Sequence, residues 1–365
     1  MKLTPILGLM SGTSMDGIDA CILNTDGINF KRTDTNIISP YSFETSDMLE
    51  KLLEYPESIL TNIDLQSKLE YLITRDHILV VKKILKIQKI LPSYIGFHGQ
   101  TIFHNAFKKI SIQLGNGQLL ANETRIKVVY NFRKNDIDNG GQGAPIAPVY
   151  HKALIKQLKL ALPTCFVNIG GISNISYWDG EVLIGFDIGP GNTLIDTFVK
   201  KKFNINFDNN GNIAKLGTSN EAIIKKFMNN NFFSLSYPKS LDKLDFNYIF
   251  HDEDFKKLSD YDAVTTLTHL TIHSINHSLN QLPKQIKTII IAGGGQHNKY
   301  LLKGLKNKIN CNIYSSNEIN IPGDMIEAEL IAFLTARHVK KLNLTFPQTT
   351  GVKEPVRGGI IAFPN

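Results

Sequence analysis

The sequence predicts an α/β protein built in two halves, and three observations carry that prediction. Segments of strand and helix character alternate along most of the 365 residues. Each half opens on a glycine-turned hairpin, at residues 6–23 and 165–178. Turns rich in Gly and small polar residues recur directly after short apolar runs, where ligands of α/β proteins collect.

The first hairpin turns through Ser11-Gly12-Thr13-Ser14-Met15-Asp16-Gly17, with Pro5-Ile6-Leu7 leading in and Ala20-Cys21-Ile22-Leu23 leading out. Gly12 and Gly17 permit a tight bend and a close ligand approach. Thr13, Ser14 and the loop amides are donors suited to phosphate oxygens. Asp16 and Asp19 only accept, so a phosphate beside them calls for Mg2+ between carboxylate and phosphate. Taken alone, the stretch also reads as an ordinary hairpin with a polar turn.

Residues 30–41 follow as a further strand. Leucines and isoleucines at helical spacing fill 48–91, with Pro56 dividing the stretch into at least two helices and Pro92 ending the second. Tyr94-Ile95-Gly96-Phe97 is a short strand that delivers His98-Gly99-Gln100-Thr101 to a turn. Strands are expected at 111–114 and 127–130. Asn139-Gly140-Gly141-Gln142-Gly143-Ala144-Pro145 is the sharpest break in composition, a hinge or a ligand loop. The break sets a boundary between an N-terminal lobe, 1–135, and a C-terminal lobe, 136–365.

A helix at 150–160 leads into the second hairpin, which turns at Gly170-Gly171. A strand at 182–186 ends at Asp187-Ile188-Gly189-Pro190-Gly191-Asn192. Helices are expected from 194, at 220–227 and at 263–279. The apolar run 288–292 carries Gly293-Gly294-Gly295-Gln296-His297-Asn298, and a last helix covers 324–340. The two halves thus repeat in architecture.

Composition narrows the function classes. Hydrophobic residues at 42% and charged residues at 20% fit a soluble globular protein. The net charge of +7 comes from lysines scattered over helical patterns, with no basic block interleaved with aromatics, so nucleic acid is not an expected partner. No apolar run approaches the ~20 residues of a membrane span, and the apolar stretch 6–10 is too short for a signal-peptide core. Cys21, Cys165 and Cys311 lack any CxxC spacing and read as free thiols of a cytoplasmic protein.

Among titratable residues, Asp187 stands before Gly189-Pro190-Gly191, held rigidly enough to take a proton from water or a hydroxyl. A turn-capping aspartate is the competing reading. Glu327 and Glu329 open the last helix, where a carboxylate also simply favours the helix dipole. His98 and His104 are spaced too loosely for a helical metal pair. His269, His273 and His277 share one helix face, but no acidic or cysteine partner has matching spacing, which favours a packed or solvated face over zinc. The triple glycine at 293 lacks GxGxxG spacing, and no Walker loop is present.

In order along the chain, residues 8–19, His98-Gly99-Gln100-Thr101, Arg133-Lys134-Asn135-Asp136 with 140–145, Asn168-Ile169-Gly170-Gly171-Ile172-Ser173-Asn174, 187–192 and 293–298 resemble the anhydro-N-acetylmuramic acid kinase family. The resemblance covers nearly the whole chain. It implies a two-lobed, actin-like ATPase fold with a duplicated mixed-sheet core and an interlobe cleft, and ATP and Mg2+ as cofactors. It further implies that ATP phosphorylates O6 of 1,6-anhydro-N-acetylmuramic acid while water opens the ring at C1.

By the same resemblance, Gly12, Thr13, Ser14, Met15, Asp16, Gly17, Ile18 and Asp19 bind the nucleotide with Gly170, Gly171, Gly293, Gly294, Gly295 and Asn298. Asp16 and Asp19 are the candidate metal ligands. Asp187 is the base that activates water, and Glu327 helps place that water or the sugar. His98, Gln100, Thr101, Arg133, Gln142 and Gly143 are the expected sugar contacts, with the Arg133 guanidinium fork suited to the lactyl carboxylate. A homodimer in the cytoplasm is implied.

Two departures stand out. Position 8 is Gly where many other sugar kinases of the superfamily carry Asp, so metal ligation must differ. Leu241-Asp242-Lys243 replaces the usual Thr-Gly-Arg, which bears on local substrate or lobe contacts. A nucleotide-driven conformational switch and a non-catalytic sugar sensor are the competing functions for such a fold.

Overall fold

The computed structural model describes residues 2–12, 15–54, 56–87, 91–105, 108–241 and 245–365. The chain forms two compact units, Met1–Ala153 with Asp324–Asn365, and Leu154–Gly323.

The first unit begins with β1 (Thr4–Ser11), β2 (Gly17–Thr25) and β3 (Phe30–Pro40), then α1 (Phe43–Glu54) and α2 (Ile63–Ile87). It continues through β4 (Tyr94–Asn105), β5 (Ile110–Leu114), α3 (Gly117–Thr124), β6 (Val128–Tyr130) and α4 (Lys134–Asp138). Helix α5 (Pro148–Leu158) carries the boundary between the units. The second unit holds β7 (Thr164–Ile169), β8 (Ile172–Trp178), β9 (Leu183–Pro190), α6 (Thr193–Phe203) and α7 (Glu221–Met228). The one-turn helices α8 (Asn231–Ser234) and α9 (Glu253–Lys256) precede α10 (Asp260–Leu279), β10 (Thr288–Ala292), α11 (Lys299–Lys308) and β11 (Asn312–Ser315). The chain then returns to the first unit with α12 (Ile326–Val339), α13 (Pro347–Thr350) and β12 (Ile360–Ala362).

The duplication is visible in strand order. The first sheet runs β12-β6-β4-β1-β2-β3 with β5 paired to β4, and the second runs β11-β10-β7-β8-β9. In both, an antiparallel three-strand meander (β1-β2-β3, β7-β8-β9) is extended by two parallel neighbours (β4 then β6, β10 then β11). The inner parallel strand β10 is buried at every position, whereas β11 at the sheet edge alternates exposed and buried.

The expected boundary at 135/136 is corrected in two places. Residues 136–153 and 324–365 belong with the first unit. The apolar residues Ile326, Ala328 and 330–334 of α12 are buried, and the helix packs against β1, β2 and β4. Burying that helix on the first sheet outweighs sequence proximity. Gly8 makes the fit possible: a Cβ there would stand 2.0 Å from the Ala328 carbonyl oxygen and 2.7 Å from Ala332 N. The departure at position 8 thus has a packing cause, because no side chain fits between β1 and α12.

Other expectations shift as well. The turn at 98–101 is part of the 12-residue strand β4, since β5 takes over its pairing at Gln100 and beyond. Asp187 and the next three residues remain in β9. Strands β11 and β12 and helix α3 lacked a sequence signal strong enough to predict. All three cysteines are free, with Cys21 and Cys165 buried. Among the described residues, no helix is long and apolar enough to cross a membrane.

Candidate active site

The first hairpin turn in the first unit rests on a buried polar network. Gln100 Nε2 donates to the Gly12 carbonyl at 2.9 Å, and its Oε1 lies 3.1 Å from the Tyr41 hydroxyl. Tyr41 OH also lies 2.8 Å from Ser11 Oγ, which is 3.0 Å from His77 Nε2. The His77 ring is fixed by Nδ1, 2.7 Å from the Ile73 carbonyl. A carbonyl only accepts, so Nδ1 carries the proton and Nε2 accepts from Ser11. Burial holds His77 neutral, pulling its pKa to about 4. The turn is thereby pinned from beneath.

Met15 sits at φ 58, a conformation unfavourable for a side-chain-bearing residue. Thr13 and Ser14 lie outside the described residues. Ile18 is fully buried in the core, so only its backbone is available to a ligand. Asp16 is exposed ahead of β2, and Asp19 is half-buried within it. The Asp19 charge is felt at Cys21, two residues on and on the same strand face. Both carboxylates are hard oxygen donors of the kind Mg2+ takes one or two of, alongside phosphates.

A second cluster in the same unit gathers several residues expected at the sugar. Arg133 Nε donates to His98 Nε2 at 3.1 Å, and its Nη1 donates to the Gly143 carbonyl at 2.8 Å. His98 Nδ1 donates to the Gly99 carbonyl at 2.9 Å. Burial, and then the Arg133 charge, push the His98 pKa down to about 3, so the ring is neutral. Gly143 N donates to the buried carboxylate of Asp136 at 2.7 Å, and Thr350 Oγ1 donates to the same carboxylate at 2.6 Å. Gln142 N donates to the Thr350 carbonyl at 2.8 Å. Residues 140–145 are therefore held by Asp136 and the C-terminal segment.

His98 also lines a cavity of about 430 Å3 with Lys109, Gln113, Tyr130 and Lys134, room enough for a sugar. Thr101 lies opposite Gln113 on β5. Glu327 opens α12. Burial raises its carboxyl above the usual range, opposed by the positive charge of Arg133. Its neighbour Glu329 has a structural task, accepting from Arg32 Nε at 2.6 Å and from the Tyr150 hydroxyl at 2.5 Å.

In the second unit, Asp187 lies on β9 opposite Asn174, beside a break in register where Ser173 pairs with Gly189. A bulge of this kind re-aims a side chain. The Leu241 amide donates to Asp187 Oδ2 at 2.9 Å, and Asp187 N donates to the Lys239 carbonyl at 2.9 Å. The aspartate is thus gripped by a segment far along the chain.

Three glycine turns of this unit interlock. Gly191 N donates to the Gly171 carbonyl at 2.9 Å, and Asn192 N donates to the Gly170 carbonyl at 2.7 Å. A Cβ on Gly191 would fall 2.2 Å from Gly170 O, and one on Gly293 would fall 2.4 Å from Asn168 Oδ1. Asn298, expected at the nucleotide, is buried and caps α11 by accepting from Leu301 N at 3.0 Å. Ser173 Oγ and Thr193 Oγ1, beside these turns, are buried with no hydrogen-bond partner among the described residues. Such hydroxyls are costly to leave unpaired and fit an anionic ligand.

Sequence reasoning missed Thr193 and Lys239, and gave no individual role to Ser173 or to the Leu241 amide. Ser173 lay within a quoted motif, whereas Lys239 sits among serines and a second lysine at 243 and gave no distinct signal. Leu241 contributes only its amide, which no sequence pattern reveals.

The chain matches the family model described as AnmK, anhydro-N-acetylmuramic acid kinase, over residues 4–364. It is 40% identical over 372 residues to a protein of Pelagibacter ubique named anhydro-N-acetylmuramic acid kinase, covering 97% of each chain. A Bradyrhizobium diazoefficiens protein of the same name is 38% identical, with 98% and 99% covered. Among solved structures, a ligand-bound xylulose kinase from Lactobacillus acidophilus aligns with a TM-score of 0.42 at 10% identity, over 99% of this chain and 94% of that one.

Proposed function

We infer the reaction from one premise: the chain belongs to the anhydro-N-acetylmuramic acid kinase family. It is a kinase of cell-wall recycling that uses ATP, and the full-length match is the observation that carries this conclusion. The relatives named above are kinases by name, and neither is named as a switch or a sensor.

We propose that the substrate is 1,6-anhydro-N-acetylmuramic acid. Asp187 takes a proton from water as the water oxygen bonds to C1. The C1–O6 bond breaks, and its electron pair stays on O6. O6 then bonds to the γ-phosphorus as the bond to the ADP oxygen breaks. The products are N-acetylmuramate 6-phosphate, ADP and the proton held by Asp187. One base on the water side serves both bond changes, so positioning supplies much of the remaining rate.

Support for this reading comes from the grip on Asp187 by Leu241 N and from the bulge beside it. The first hairpin and the interlocked glycine turns are assigned to the nucleotide. Arg133, neutral His98, Gln142, Thr101 and Glu327 are assigned to the sugar, with Gln100 acting through Gly12. Asp19 and Asp16 would hold Mg2+, which supplies charge neutralisation on the phosphates. We propose, as the resemblance implies, that the enzyme works in the cytoplasm as a homodimer.

The test is ADP release with and without the anhydro-sugar, run in 18O-labelled water. The expected result is strict dependence on sugar, with label at C1 and none in the phosphate. ATP turnover independent of sugar, or label in the phosphate, overturns the assignment.

A further inference from the structure

On the second unit, two histidines one turn apart on α10 meet a carboxylate from a different helix. His269 and His273 share a face with the side chain of Glu221, the first residue of α7, and ligand atoms of the three lie within 4.8 Å of one another. His273 Nε2 is 3.8 Å from Glu221 Oε2. Among the described residues this is the sole grouping of three such ligands. Sequence spacing could not reveal it, because Glu221 lies far from α10 along the chain.

We propose that Glu221, His269 and His273 form a binding site for a divalent d-block cation such as Zn2+, joining α7 to α10. The tautomer suits a metal. The Lys308 ammonium of α11 lies 3.0 Å from His273 Nε2 and can only donate, so that nitrogen presents a lone pair. The Tyr300 hydroxyl, 3.1 Å from His269 Nε2, can donate to that nitrogen or accept from it. Two imidazoles and a carboxylate make a three-ligand set that leaves one position for water or Tyr300. Lys308 occupies the place of a cation, and metal binding must displace it.

The opposite face of α10 supports the Asp187 strand and its turn: Thr271 Oγ1 donates to the Gly191 carbonyl at 3.0 Å. A metal on the outer face therefore fixes the helix that braces that turn. The inference does not depend on the kinase assignment.

The full-length protein is titrated with Zn2+ against a chromophoric chelator, and with Co2+ by visible absorption. One equivalent is expected to bind, with Co2+ giving the intense bands of a low-coordinate nitrogen–oxygen site. The double variant His269→Ala/His273→Ala loses the site, a larger effect than the ~10–100-fold that loss of an outer-shell partner costs. Glu221→Gln weakens binding, whereas Lys308→Ala tightens it. Zn2+ raises the melting midpoint of the wild type and leaves that of the double variant in place. Retention of the equivalent by the double variant, absence of the Co2+ bands, or weaker binding by Lys308→Ala overturns the proposal.

Discussion

The Leu241 amide donates a 2.9 Å hydrogen bond to Asp187 Oδ2, across 54 residues of sequence. The amide donor fixes the direction of the carboxylate, which a positioned base needs. Asp187→Asn keeps the shape and removes the base. Its kcat should fall by about 10²–10⁴-fold or more, with nucleotide binding retained. Single-turnover rates and an ATP-analogue titration measure the two quantities, and wild-type turnover would refute the role.

Lys239 anchors the segment that holds Asp187. The lysine is buried, and its ammonium donates to the Phe232 and Leu235 carbonyls and Gln281 Oε1 at 3.1–3.2 Å. Its charge also lies 4.7 Å from the centroid of the Phe232 ring. Burial pulls its pKa to about 8. Lys239→Met removes the donors and loosens the grip on the aspartate. A fall of about 10–100-fold in kcat is expected, with KM for ATP unchanged. Unchanged kcat in a folded variant would show that the anchor does not matter.

Arg133 bridges His98 and Gly143, so its loss should disturb the sugar side alone. Arg133→Ala is expected to raise KM for the sugar while KM for ATP holds. Arg133→Lys should not restore it, since one ammonium cannot serve both fixed partners. Equal effects on the two KM values would count against the assignment.

At Gly8 the prediction concerns stability. A methyl group there meets backbone atoms of α12, which cannot rotate aside. Gly8→Ala should cost about 3 kcal/mol or more, the upper end for overpacking. A denaturant midpoint close to wild type would show that α12 can shift.

The first unit should weaken in mild acid. His77, His98 and His151 are buried, with pKa values pulled to about 4, 3 and 3. The unfolded chain titrates near 6.5 and so binds more protons between those values and 6.5. Stability therefore rises with pH across that window and falls on acidification. From pH 7 to 5 each histidine costs up to about 2 kcal/mol. Glu327, raised by burial, has the opposite slope, one carboxyl against three imidazoles. Hydrogen exchange of the β1 and β4 amides, corrected for intrinsic rates, should show the loss.

Much of this was readable beforehand because it is local chemistry. Gly12, Gly170, Gly191 and Gly293 mark turns by composition, and the apolar runs ahead of them mark strands. The long β4 was hidden because His98-Gly99-Gln100-Thr101 has turn composition and only pairing with β5 keeps it extended. The histidine triplet on α10 was visible, but its carboxylate was not.

By itself, the sequence determined the α/β class, the repeated hairpins and the set of turns, since apolar periodicity and glycine act over a few neighbouring residues. Tertiary structure alone decided that α12 returns to the first sheet, that Leu241 and Lys239 hold Asp187, and that Glu221 meets His269 and His273. Each of those depends on burial and on contacts between residues distant in the chain, and nothing in local spacing encodes which surfaces will meet.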